Sequence, residues 1–243
     1  MKKERLSYSA LSQFGKSPNH LLSYWHDDME RTPAMMFGSL VHKKILEPDK
    51  FSSEYAVFDG TRRGKVWESF KEENTEKEIV TVKEYNTALK VVNKARENKL
   101  FSDLLMQTTE TEKHIEWSCD GVKYHGYVDM IGKGFIADIK TCADGGERFK
   151  RDLNFNDYKM QGAMYLTGFD ASLKYYIIAI EKSSPYNVAV YELSEGLLSK
   201  GYSKYRYLNK KYIEWDGEPC SYSDKIIKVG EPELFVPENE INI

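Results

Sequence analysis

The stretch from Gly126 to Thr141 constrains the fold of this chain more than any other. It reads Gly-Tyr-Val-Asp-Met-Ile-Gly-Lys-Gly-Phe-Ile-Ala-Asp-Ile-Lys-Thr, two apolar runs around a glycine-flanked turn at 132–134. Apolar runs bounded by such a turn predict a β-hairpin. Each run carries one acid in apolar surroundings, Asp129 and Asp138. If Lys133-Gly134 is a two-residue turn, or 132–135 a four-residue one, Asp129 stands directly opposite Asp138, with Cβ atoms about 4.5–5.5 Å apart. Lys140 follows Asp138 by two residues and shares its face, about 6.8 Å along the strand. Two opposed carboxylates on an apolar hairpin repel. A divalent cation between them reverses that sign, because it favours the ionised form of both. The hairpin is a candidate metal site with an ammonium group beside it.

With 243 residues, 41% of them hydrophobic, the chain can build one large core or two small ones. The formal net charge of −3 argues against a basic coat for nucleic acid, though not against a local basic channel. Cys119, Cys142 and Cys220 show no CxxC and no paired spacing. Neither disulfides nor a zinc or iron–sulfur centre is expected. No window approaches the ~18 apolar residues of a membrane span, and the first residues lack a leader's apolar segment. A cytoplasmic protein with no membrane contact is the expectation.

In chain order, residues 1–30 read as helices, the first capped by Ser7 or Ser9 and the second started by Ser17-Pro18. A helix over 34–47 follows, ended by Pro48, with Phe37, Val41 and Ile45 as its core stripe. Gly38 and His42 sit one turn apart beside that stripe. A glycine there costs about 1 kcal/mol against alanine, which close approach of another element near His42 would explain. Taken alone, His42 reads as a half-buried histidine on a helix face.

Residues 49–78 read as a polar loop. Its Arg62, Arg63, Lys65 and Trp67 suit a phosphate backbone and a stacked base, and equally suit an exposed loop. An amphipathic scaffold helix spans 81–101. A three-strand meander covers 111–141. An Asp120-Gly121 turn pairs Glu116 with His125 and puts Glu116, His125, Tyr127 and Asp129 on one face. Glu116 is thus a candidate acid, or half of a solvent-facing pair with His125. Residues 143–157 read as a polar, flexible segment carrying Arg148, Lys150 and Arg151. On a helix at 157–168, Tyr158, Gln161 and Tyr165 share a face, either its wet side or a cleft wall. Strands at 174–180 and 187–193 precede a last helix over 194–215. Residues 229–243 read as an acidic tail that packs on a neighbour. This order implies an α/β fold with a central mixed sheet flanked by helices. The expectation is one domain over 1–243, with its core at about 30–215.

Taken together, His42 in Gly-Ser-Leu-Val-His, Asp129 in Gly-Tyr-Val-Asp, Asp138-Ile-Lys140-Thr141 and Gln161-x-x-x-Tyr165 resemble the PD-(D/E)XK nuclease superfamily in motif and order. More narrowly they resemble its RecB-like branch, and within it the phage and prophage exodeoxyribonuclease VIII (RecE-like) group. The opening Leu-Ser-Tyr-Ser-Ala-Leu-Ser-Gln-Phe and the Arg-Arg-Gly-Lys-Val-Trp segment are also similar, so that the resemblance covers about residues 6–215. Val128 stands at the "P" of the family name and Asp138 at its second acid. Ser17-Pro18 stands where a Cys-Pro is often seen, and no cysteine trio follows, so no iron–sulfur cluster is expected.

The resemblance implies a restriction-endonuclease-like core holding Mg²⁺ or Mn²⁺ through His42, Asp129, Asp138 and the backbone carbonyl of Ile139. Lys140 would act on the attacking water or the phosphoryl group. Gln161 and Tyr165 would position Lys140 or the phosphate, with Glu116 a further acid near the same face. Arg62, Arg63, Lys65, Trp67, Arg148 and Arg151 would contact DNA. The implied activity is 5′ to 3′ exonuclease digestion of linear double-stranded DNA from its ends, for phage-type recombination or repair in a bacterial or phage setting. A closed homo-oligomeric ring and a single-strand annealing protein would be its partners. Two alternatives stay open: another nuclease on the same core, CRISPR-adaptation-like or endonucleolytic, and a non-catalytic DNA-binding or inhibitory module.

Overall fold

In the computed structural model, which describes residues 3, 5–27 and 31–220, helix starts follow the capping residues. A short strand β1 (Arg5–Leu6) leads into α1 (Tyr8–Phe14), capped by Ser7, and α2 (Pro18–His26), capped by Ser17. Helix α3 (Pro33–Leu46) starts on Pro33 with Thr32 as its cap.

The 49–78 region is more structured than its polarity suggests. After a single 3-10 turn (Pro48–Lys50) come α4 (Phe51–Glu54), β2 (Tyr55–Phe58), α5 (Lys65–Glu73) and β3 (Glu78–Thr81). β2 and β3 pair in parallel as a separate two-stranded sheet. The helix expected over 81–101 is two helices. α6 (Val82–Glu97) is held at its start by a Thr81–Glu84 capping box, and Asn98 breaks the run by capping α7 (Lys99–Gln107).

The meander is β4 (Thr108–Cys119), β5 (Val122–Gly132) and β6 (Phe135–Cys142). Next come α8 (Glu147–Phe155), α9 (Tyr158–Gly168), β7 (Lys174–Glu181), β8 (Val188–Glu192) and α10 (Glu195–Glu214). α8 replaces the flexible segment that its polarity suggests, because buried Phe149 anchors it to the core. The acidic tail at 229–243 lies outside the described residues. Among those described, no helix is long and apolar enough to cross a membrane.

β4 follows β5 along its whole length, antiparallel, and occupies one edge. The other edge is shared: β1 pairs with Lys123 and Tyr124, and β6 pairs with Met130 to Gly132. β6 and β7 run parallel and β7 and β8 antiparallel, so the sheet is mixed. A parallel neighbour requires a crossover, and α8 and α9 supply it. The two sheet faces bury different helices. Ile136, Ile177 and Ala179 pack toward α1, α9 and α10, whereas Ala137, Ile139 and Ile178 pack toward α3 and α6. Each of these isoleucines contributes roughly 1.5–3 kcal/mol when fully buried.

α9 is pinned where α10 crosses it. A Cβ added at Gly201 would lie 2.1 Å from the Lys159 carbonyl oxygen. That obstacle is backbone and cannot rotate away. Gly201→Ala should therefore lower stability by about 1–3 kcal/mol through overpacking, although alanine in a free helix would gain about 1 kcal/mol. Urea unfolding reads the sign directly, and a stabilised variant would contradict the close approach.

Candidate active site

Between β1 and β6, the shared edge of β5 opens, and β5 and β6 fork. The last rung joining them is Met130↔Ala137, and Gly132↔Phe135 closes the Lys133-Gly134 turn. Continued by one residue, this register sets Asp129 opposite Asp138, as the two-residue turn requires. Both are buried. The ladder has ended there, and the Ile139 N–H donates instead to Asp129 Oδ2 at 2.6 Å. A side-chain carboxylate thus completes the hydrogen bonding of the fork.

Asp138 is held from two directions. Gln161 Nε2 on α9 donates to its Oδ1 at 2.8 Å, and Lys140 Nζ lies 2.5 Å from its Oδ2. The ammonium also lies 5.2 Å from the ring centroid of Tyr158, one turn before Gln161. The Tyr165 ring sits over Gly126, where a Cβ would come within 2.7 Å of it. Burial, and then the Asp138 charge, push the Tyr165 hydroxyl up to about 12. The shared face of Tyr158, Gln161 and Tyr165 is therefore a wall of the site.

From the opposite side of the sheet, α3 brings His42. The glycine expected to allow close approach does so: a Cβ at Gly38 would lie 3.2 Å from Thr141 Oγ1. One turn on, His42 Nδ1 lies 3.4 Å from Asp129 Oδ2. Burial lowers the pKa of the imidazole, leaving it neutral and able to act as a ligand. Burial and the neighbouring Asp138 hold the Asp129 carboxyl well above the usual carboxylate range. Burial alone would lower Lys140, but Asp138 and Asp129 outweigh it and keep the ammonium protonated.

One acid at this centre was not singled out from the sequence. Glu112 falls on the rung between Thr111↔Met130 and Lys113↔Val128, opposite Asp129. Its backbone is left-handed, φ 49°, a rare conformation for a residue other than glycine. β5 twists at the same rung, since Val128 packs with the α9 side and Met130 with the α3 side. The ligand atoms of His42, Glu112 and Asp129 all lie within 4.8 Å of one another. Burial and then the Asp129 charge push the Glu112 carboxyl up to about 7. The Asp120-Gly121 turn that pairs Glu116 with His125 also pairs 112 with 129, so the register held the signal.

Glu116 lies apart from this centre. It does pair with His125, but it is exposed, ion-paired to Arg5 and 3.9 Å from His114. Four residues of strand, roughly 14 Å, separate it from Glu112. The expected DNA contacts are also elsewhere: Arg62, Arg63, Lys65, Trp67, Arg148 and Arg151 do not line the cleft around His42 and Asp129. Arg62 bonds Glu84 at 2.7 Å and the Ile79 carbonyl at 3.0 Å, and Trp67 packs on Phe58. Both serve the small sheet. Arg63, Lys65, Arg148 and Arg151 are exposed.

The cleft measures about 770 Å³ and is lined by His42, Glu112, Asp129, Ile139, Lys140 and Arg31, among others. Carboxylate oxygens with one imidazole are donors for a hard to borderline divalent cation. Two observations fit that group: a buried Asp129 whose carboxyl is raised by burial and the Asp138 charge, and a left-handed glutamate turned toward it.

A family model described as "PDDEXK-like domain of unknown function (DUF3799)" matches residues 7–218. Among solved structures, a "putative exonuclease" from Eubacterium rectale superposes with a TM-score of 0.64 at 16% identity, over 93% of this chain and 90% of that one. The structure of SSO0001 superposes at 0.41 with 17% identity, over 90% and 80%. The first match shows a shared fold, and the second is too distant to carry an argument. No curated protein matches the chain.

Proposed function

This chain belongs to the family of PDDEXK-like domains, and from that premise we propose that it is a divalent-cation-dependent nuclease. The observation that carries the reading is the meeting of Asp129 and Asp138 at the β5–β6 fork, with Lys140 Nζ 2.5 Å from Asp138 and His42 3.4 Å from Asp129. His42, Glu112, Asp129, Asp138 and the Ile139 carbonyl would hold the cation. Magnesium or manganese bound there would supply charge neutralisation at phosphorus and activation of water.

The chain's own groups do the rest. Lys140, protonated and restrained by Asp138 and the Tyr158 ring, donates to a phosphoryl oxygen or to the attacking water. Gln161 fixes the Asp138 carboxylate, and Tyr165 fixes α9 over Gly126. Glu112, within 4.8 Å of the His42 and Asp129 ligand atoms, adds a further carboxylate oxygen on the cleft side of the centre.

The motif order supports a finer proposal: a RecE-like exonuclease that resects linear duplex DNA 5′ to 3′. A closed ring of copies would enclose the duplex, with a single-strand annealing protein as companion. Digestion of end-labelled linear, nicked and covalently closed DNA tests both levels. Loss of linear duplex from one labelled end is expected, only with Mg²⁺ or Mn²⁺. Cleavage of closed circles would remove the exonuclease assignment. Intact DNA under every metal would remove the nuclease reading.

A further inference from the structure

Beyond the Glu112/Asp129 rung, the β4–β5 hairpin runs on with one face uncovered. Tyr124, Gly126 and Val128 point toward α9 and α10: a Cβ at Gly126 would touch the Tyr165 ring, and Tyr124 and Val128 are buried in that core. The alternate residues therefore face the other side, the side of α3 and its cleft. No helix covers them among the described residues: Tyr127 is 56% exposed, and His114, Glu116, Ser118 and Lys123 are exposed as well.

This face has an ordered composition. His114 pairs with Tyr127 and Glu116 with His125, and Lys123 pairs with both Ser118 and Arg5. The His114 and Tyr127 ring centroids are 4.9 Å apart, and those of His114 and His125 are 6.0 Å apart. Rings thus line the half nearer Asp129, Lys123 lies at the far end, and Arg5 beside it is ion-paired to Glu116 in the middle of the face. Tyr127 is two residues from Asp129, about 7 Å along β5, and Lys123 is six residues away, about 20 Å.

We propose that this bare face binds a single strand of nucleic acid leading into or out of the Asp129–Asp138 centre. An unstacked base would lie on the Tyr127 and His114 rings, and the backbone would pass toward Lys123, with Arg5 shared between Glu116 and a phosphate. The occupant follows from chemistry and continuity. Exposed rings on an open sheet with cations at the margin suit stacked bases and phosphates, and the same strands carry the acids of the cleft. The proposal rests on the nuclease reading above.

The test is fluorescence anisotropy of a labelled oligothymidine strand, and of a blunt duplex, with the full chain in EDTA so that nothing is hydrolysed. Tyr127→Ala and His114→Ala should each weaken single-strand binding roughly tenfold, as expected for loss of one stacking contact. Tyr127→Phe should bind as wild type, and all three should melt at the wild-type temperature, because the side chains are exposed. Unchanged single-strand affinity in Tyr127→Ala, with duplex still bound, overturns this face and leaves the nuclease reading standing. Loss of a dimer in that variant by sedimentation, with affinity unchanged, would assign the face to a second copy and also overturns it. A wild-type chain that does not bind the single strand also overturns this face, while the nuclease reading is decided separately by digestion with metal present.

Discussion

Asp138→Ala is expected to reduce metal-dependent degradation of linear duplex by at least about 10³-fold, the scale of losing a group that acts directly on developing charge. The expectation is large because one carboxylate serves three neighbours. Its Oδ1 receives Gln161 and its Oδ2 lies against Lys140, while Asp129 stands across the fork. Alanine removes a cation ligand and also releases Lys140 and Gln161. Stability should not follow activity. Asp138 raises Asp129 by repulsion, so its removal relieves one buried like-charge contact while it loses the Gln161 hydrogen bond and the Lys140 ion pair. Single-turnover digestion at saturating Mn²⁺, beside a thermal melt, separates these effects. Undiminished degradation by a folded Asp138→Ala protein would end the catalytic assignment.

How far the chain could be read in advance depended on how local the signal was. The hairpin register was legible because a two-residue glycine turn and a period of two leave one arrangement that buries both runs. The role of Gly38 was legible for a similar reason: a glycine on a helix face beside a core stripe implies a close neighbour, and Thr141 is that neighbour. The Tyr158–Gln161–Tyr165 face followed from helical spacing alone. Glu112 was missed because simple alternation treats it like Glu116. Its left-handed backbone and the twist of β5 beside it, which turn one glutamate to the cleft, are tertiary features. Arg62 and Trp67 show the opposite case. Their residue types suit nucleic acid, but their partners, Glu84 and Phe58, are fixed by the pairing of β2 with β3, two strands too short to stand out. α8 was hidden by its charges, with only Phe149 and Leu153 marking its buried side among the described residues.

Asp129→Asn should reverse the usual direction of a site mutation and stabilise the metal-free protein. Asparagine keeps an oxygen to accept the Ile139 N–H and discards the buried charge. The pH dependence fixes the sign. An unfolded aspartate titrates near 4, whereas burial and Asp138 raise the folded Asp129 well above that. Between the two values the folded state holds a proton that the unfolded chain has released, so stability falls as pH rises through that window. Glu112, raised to about 7, acts with the same sign from about pH 4 upward. Metal-free wild type should therefore lose stability from pH 5 toward 8 more steeply than Asp129→Asn. The variant also removes the Asp129 charge that helps to raise Glu112, so both contributions flatten together. Mn²⁺ opposes this trend, because its ligands must lose protons to bind it and its affinity rises with pH. At a concentration 100 times its dissociation constant it should stabilise wild type by about 2.7 kcal/mol, and Asp129→Asn by far less. Melting curves at pH 5.5 and 8, each with EDTA or Mn²⁺, measure all four terms. Parallel metal-free slopes, or a full Mn²⁺ shift in the variant, would show that Asp129 is not the charge at which proton and cation compete.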